Sequence, residues 1–150
     1  MSELVFMMGN FKASFPTNRQ YCTNHMWAQR RDEVTRFGFT AYAVRLLRDV
    51  YFLEWSVDEN SVVSAGQRIG AIESKKAESD LYAPVAGHLS RFNPALLEDP
   101  STINKDTYGH GWLFEMGVDG NPFLSVHGYL EHLESVWTIT QRTIKGQLKE

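Results

Sequence analysis

Cysteine is nearly missing from this chain of 150 residues. Cys22 stands alone, so no disulfide can staple the fold and no CxxC redox or metal motif can form, which suits a reducing compartment. No nucleophile motif surrounds it, and it reads as a packed or partly exposed thiol. No apolar run reaches the length needed to cross a bilayer, and the opening MSELVFMM lacks a basic leader and a small-residue cleavage site. The expectation is a soluble cytoplasmic protein without a membrane partner. Net charge is −3 and the basic residues are scattered rather than striped, which argues against nucleic acid. There is no GxSxG elbow, no convincing Ser, His and Asp constellation and no solenoid-length repeat. His127 and His132 are five apart, off the spacing that puts two ligands on one helical face. No carboxylate or second His is expected to complete a site near His25, His88 or His110, so no metal is expected.

What is present suffices for a core, since a domain of this size buries roughly 70% of the surface its unfolded chain exposes. Residues 1–20 carry Phe6, Met7, Met8, Phe11 and Phe15 without a clean period and are broken by Gly9 and Pro16, which reads as an arm packed on the domain. YCTNHMWAQRRDEVTRFGF gives two strand-like pieces around a charged QRRDE turn, with Trp27 a core or edge aromatic. Thr40 is a candidate N-cap for a short helix, AYAVRLLRD, with Ala43, Val44 and Leu47 on one face. VYFLEW reads as a strand and SVDENS as a turn. Gly66 and Gly70 have the wrong spacing to cradle phosphate and mark bends or close strand packing. Pro84 and Gly87 mark a bend where the chain changes sheets, Pro94 opens ALLED and Pro100 stops it, and GWLFEM is the last clear strand. From Ser125, another candidate N-cap, the residues Val126, Tyr129, Leu130, Leu133 and Trp137 recur at helical spacing. The tail from Thr138, with Arg142, Lys145 and Lys149, either prolongs that helix or frays. Many short strands with small helices point to a mainly β fold, a flattened sandwich of two antiparallel sheets.

One stretch stands apart. RIGAIES and SDLYAPV alternate in polarity on either side of a charged KKAE turn, the pattern of a β-hairpin that presents lysine to solvent. A turn lysine is ordinarily a solubilising charge; the words around this one give it weight. GQRIGAIES, KKA and SDLYAPVAG, then FNPALLEDPSTIN and DTYGHGWL downstream, resemble the glycine-cleavage H protein family, whose pattern is close to ESVKAxSDLYSPVSG, VNxxLxxxPxLIN and DPYGxGWL. The likeness runs from about His25 to Trp137. It implies the barrel-sandwich hybrid fold of lipoyl and biotinyl domains, with short helices and a C-terminal helix, over residues 21–137, leaving 1–20 as the arm and 138–150 as the tail.

The same resemblance implies a carrier rather than an enzyme, with lipoate in amide linkage on Lys76 and Lys75 where the family usually has Val. Biotinyl domains typically flank their lysine with Met; Lys75 and Ala77 argue against biotin. Ser74 and Ala77 complete the ESKKA word. Amide formation would remove the charge of Lys76 and leave Glu73, Glu78 and Asp80 against Lys75, an acidic collar that either steers partners or simply resists edge pairing. The implied partners are a lipoate-protein ligase or equivalent and the enzymes that use the arm.

The chain also departs from the family. Between His25 and Trp27 glycine-cleavage H proteins commonly carry a Glu that holds the amine of the aminomethyl-loaded arm, and here Met26 stands there. Ala41 replaces a usual Asp and Arg48 a usual Gly, whereas Asp80 matches the acidic position after the lysine. These features resemble the H-protein-like lipoate-binding proteins of the heterodisulfide-reductase-like sulfur oxidation pathway. That likeness implies a heterodisulfide-reductase-like complex as partner and a neutral sulfur cargo against Met26, Phe39 and Leu46. The alternatives are an H protein serving glycine decarboxylase, aminomethyltransferase and dihydrolipoamide dehydrogenase, and a binding module without lipoate.

Overall fold

A computed structural model describes residues 2–149, with side chains described through residue 139. The strands are β1 (Glu3–Met8), β2 (Phe11–Pro16), β3 (Gln20–Tyr21), β4 (Met26–Arg31), β5 (Val34–Phe39), β6 (Val50–Trp55), β7 (Ser61–Val63), β8 (Arg68–Ser74), β9 (Glu78–Tyr82), β10 (Gly87–Phe92) and β11 (Phe114–Gly117). The helices are α1 (Ala41–Leu47), α2 (Pro94–Glu98), α3 (Thr102–Lys105) and α4 (Val126–Lys149).

Two antiparallel sheets enclose the main core. One has six strands in the order β3-β4-β5-β11-β10-β7, the other three in the order β6-β8-β9. Phe37, Leu89 and Phe114 from the first meet Leu53, Ile69, Ile72 and Leu81 from the second in one buried apolar cluster. The crossing from β9 to β10 passes through Pro84, so the chain changes sheets where proline and glycine mark the bend.

Residues 3–16, within the stretch read as an arm packed on the domain, are regular strands. They form a third, two-stranded sheet, β1 against β2, turning at Gly9 with φ +65. In β1 the period is hidden because both faces are apolar: Leu4, Phe6 and Met8 turn inward while Val5 and Met7 remain exposed. This hairpin joins α1 and α4 around a second buried cluster that includes Phe15, Tyr21, Trp27, Tyr42, Tyr129 and Leu133. GWLFEM also pairs over a shorter span than its composition suggests. Before β11 begins, the side-chain amide of Asn93 donates to the carbonyls of His110 (2.8 Å) and Trp112 (2.7 Å), which occupies the backbone that a longer strand would pair.

Both sequence-read caps operate. Thr40 Oγ1 accepts the Ala43 amide at 3.4 Å, and Ser125 Oγ accepts that of Gly128 at 3.1 Å. The helical backbone of α4 runs through the tail, and the side chains of Arg142, Lys145 and Lys149 lie outside the described residues. Among the described residues no helix is long and apolar enough to cross a membrane.

His25 latches α4 to the body. It takes a left-handed φ of +68 in the β3–β4 connection, and its Nδ1 lies 2.9 Å from the Tyr129 hydroxyl, itself 2.9 Å from Thr40 Oγ1. Burial first, then the nearby His132, lowers the His25 pKa from 6.5 to about 4. The unfolded chain therefore binds this proton more readily, and the site's contribution to stability is whole above pH about 6.5 and is lost progressively as pH falls toward 4. Denaturant titrations should show stability falling by about 2 kcal/mol between about pH 6.5 and about pH 4.5, with a flatter profile in His25→Asn. Identical profiles in the two proteins would remove His25 as the cause.

Candidate functional site

The β8–β9 hairpin carries the lysine pair at its tip. Gly70 lets β8 approach β6, because a Cβ there would collide with the backbone carbonyl oxygen of Glu54. Further along β8 the chain reaches Ser74, which is buried, while residues 75–80 are exposed. Ser74 closes the turn with both its backbone and its side chain. Its amide donates to the Ala77 carbonyl at 2.9 Å, and its Oγ accepts the amides of Lys76 (3.3 Å) and Ala77 (3.2 Å). A short serine under the turn thus satisfies donors that an exposed loop would leave to water.

Lys76 Nζ has no hydrogen-bond or ion-pair partner among the described residues, so its four-carbon stem and amine project free of the protein. Lys75 differs: its amide donates to the Asp49 carbonyl at 3.1 Å, and its ammonium lies 3.7 Å from Asp49 Oδ2. The tip is therefore held from inside by Ser74 and from the side by the segment leading into β6.

The structure distributes the other sequence-read residues unevenly. Glu73 and Glu78 are register partners across the hairpin. Asp80 does not add a free charge to them, because Arg68 Nε donates to its Oδ1 at 2.9 Å and Tyr82 OH to its Oδ2 at 3.3 Å. The Arg68 hydrogen bond holds the Asp80 carboxyl below the usual carboxylate range. The acidic collar is thus partly neutralised by an arginine eight residues before the lysine, and only strand register reveals that pairing.

Met26, Phe39 and Leu46 do not line one open pocket. Met26 and Phe39 face each other in register but are 2% and 6% exposed, sealed in the core between the sheets. Leu46 packs in the other apolar cluster. His110 pairs with a carboxylate: Asp106 Oδ2 lies 2.7 Å from its ring Nδ1 and accepts its amide at 2.7 Å. Those bonds close the DTYGHGWL loop, where a Cβ on Gly109 would strike the same carboxylate.

Sequence reasoning overlooked Asn104, the last residue of the word FNPALLEDPSTIN. Its side chain donates to the Arg48 carbonyl at 2.7 Å and accepts the Val50 amide at 2.9 Å, gripping the chain on both sides of Asp49. Arg48, noted in the sequence as standing where a glycine is usual, has φ +66 and ψ −147, a region that glycine occupies freely and arginine does not.

The family model for glycine cleavage H-protein matches residues 19–136. The chain belongs to the glycine cleavage H-protein family. A glycine cleavage system H protein from Bacteroides fragilis is 39% identical over 120 residues, covering 77% of this chain and 94% of that protein. A probable glycine cleavage system H protein from Natronomonas pharaonis is 41% identical over 117 residues, covering 74% and 87%. The crystal structure of a glycine cleavage system H protein from Mycobacterium marinum aligns with a TM-score of 0.69 at 33% identity, covering 81% of this chain and 98% of that one. Proteins of this family are carriers rather than catalysts and bear lipoate on a lysine. The fold is accordingly the barrel-sandwich hybrid of H proteins, extended by the β1–β2 hairpin, which precedes the matched region.

The tip can be loosened selectively. Ser74→Ala leaves the Lys76 and Ala77 amides without their side-chain acceptor, and should lower stability by about 1 kcal/mol. Hydrogen exchange should accelerate at those two amides and remain slow in the centre of β8. Unchanged exchange at the tip would show that Ser74 does not hold the turn.

Proposed function

We propose that this chain is a lipoyl carrier in which Lys76 takes lipoate in amide linkage, and that it acts as the H component of a glycine cleavage system. The observation that carries this reading is the Nζ of Lys76, without a partner among the described residues, on a turn fixed by Ser74 and Asp49. The site fits such a group: the amine is exposed, the backbone beneath it is hydrogen-bonded, and nothing described closes over it. Bound there, lipoate supplies a cyclic disulfide that interconverts with its dithiol. The protein's own contribution is positional. Ser74 fixes the base of the arm, and the sheet behind it keeps the attachment point in place, so that a tethered group reaches successive active sites at high effective concentration. The partners of this reading are a lipoate-protein ligase or equivalent, glycine decarboxylase, aminomethyltransferase and dihydrolipoamide dehydrogenase.

A second reading rests on Met26 and Asp80. Where the family commonly places a carboxylate for an amine-bearing cargo, this chain has a buried thioether, and Asp80, the acidic position that does match, is engaged by Arg68. An ammonium would find little here to pair with. That favours a cargo of sulfur or electrons and a heterodisulfide-reductase-like complex as partner. The curated relatives carry the glycine-cleavage name, and we place the glycine system first.

Protein produced in a lipoylating host should carry a lipoyl or octanoyl adduct that peptide mass analysis places at Lys76, and Lys76→Arg should abolish it. Persistent absence, or an adduct mainly at Lys75, would overturn the carrier reading. A function unimpaired by Lys76→Arg would point to a binding module without lipoate. The loaded protein, offered separately to glycine decarboxylase and to a heterodisulfide-reductase-like complex, should be used efficiently by the first. Use by the second alone would decide for the sulfur reading.

A further inference from the structure

The tip offers two lysines in adjacent, exposed positions, with identical side-chain chemistry. Their surroundings differ. The Lys75 amide is bound to the Asp49 carbonyl, and its ammonium lies 3.7 Å from the same residue's carboxylate. The Lys76 amide is bound beneath the turn by Ser74 at 3.3 Å, and its ammonium has no partner among the described residues. Asp49 therefore draws Lys75 aside toward the start of β6, the strand whose first residue pairs with Ser74.

Asp49 is itself firmly placed. Asn104 grips the carbonyl before it and the amide after it, at 2.7 and 2.9 Å. The preceding residue, Arg48, is held with φ +66 in a backbone conformation that costs energy for any residue but glycine. A strained segment kept in place by a dedicated side-chain clamp is a stiff mount for the carboxylate beside it.

We propose that Asp49 is a positioning residue that directs acylation to Lys76 by holding the Lys75 side chain away from the incoming acyl donor. The inference rests on the carrier reading above and adds to it the choice between neighbouring lysines. Both Lys75 and Asp49 are 74% exposed, so their pair biases the side chain rather than locking it. An exposed pair of this kind shifts a population by a factor of about two to five and is screened by salt.

The test uses the full-length protein and Asp49→Asn, which removes the charge but keeps the backbone carbonyl that accepts the Lys75 amide. The probe is N-succinimidyl octanoate in limiting amount. A neutral lysine amine attacks its carbonyl carbon, a C–N bond forms as the C–O bond to N-hydroxysuccinimide breaks, and the nitrogen's proton passes to solvent. Peptide mass analysis then gives the share of adduct at each lysine. The share at Lys75 should rise about two- to fivefold in Asp49→Asn. It should rise similarly in the unaltered protein on going from low salt to about 1 M, with little further change in the variant. Equal shares in the two proteins at low salt would overturn the assignment of Asp49. In parallel, both proteins are offered to a lipoate-protein ligase. Modification of the unaltered protein at Lys76, with a larger Lys75 share in the variant, supports the proposal, whereas modification confined to Lys76 in both overturns it for the enzymatic reaction. Failure of the ligase to modify either lysine in the unaltered protein would overturn the carrier reading, while the reagent still decides the role of Asp49.

Discussion

In the proposed carrier, the hydrogen bonds by which Ser74 closes the β8–β9 turn are what would make an exposed lysine useful rather than merely soluble. A lysine side chain is flexible by itself, and an acylated arm is longer still. Its reach becomes predictable only if the backbone at its root does not move. Ser74 secures that root from below, and the contact of Lys75 with Asp49 secures it laterally. The rest of the molecule extends this constraint inward. β8 lies between β6 and β9, Gly70 allows its close approach to β6, and Ile69 and Ile72 anchor it in the core shared by the two sheets.

A second layer of structure braces strands β3 and β4. The β1–β2 hairpin, α1 and α4 enclose an aromatic cluster, with Tyr21 stacked on Tyr129 at a centroid distance of 5.0 Å and Phe15 edge-on to both. His25 ties this layer to the β3–β4 connection, whose Asn24 reaches the carbonyl of Tyr82 at the end of β9 at 3.3 Å. The hairpin bearing the lysines is thus linked through a few polar contacts to the helix that covers this second cluster. Burial of His25 makes that linkage sensitive to acid.

Local chemistry was legible in the sequence and spatial partnership was not. Thr40, Ser125 and Pro94 announce helix starts because capping and proline effects act within a few residues. The KKAE turn announces itself through alternation on either side. By contrast, Arg68 meets Asp80 only because the β8–β9 register sets Arg68 opposite Tyr82, two residues along the strand from Asp80, and Asn104 reaches Arg48 across 56 residues of chain. Met26 looked like a pocket residue because its sequence neighbours belong to a functional word; strand pairing with Phe39 buries it. In the first hairpin, β1 was missed for a different reason, since apolar residues on both of its faces erase the alternation that reveals a strand, whereas β2 does alternate, with Ala13 and Phe15 buried and Lys12 exposed.

The central claim is that a rigid turn carries a mobile lysine. Nuclear magnetic relaxation measures both parts in one sample, through backbone amide order parameters for residues 74–77 and side-chain order parameters for Lys76. Backbone values near about 0.85, matching the centre of β8, with Lys76 side-chain values below about 0.6, are the expected result. Backbone values at the tip below about 0.6, or a Lys76 side chain as ordered as the sheet, would contradict it.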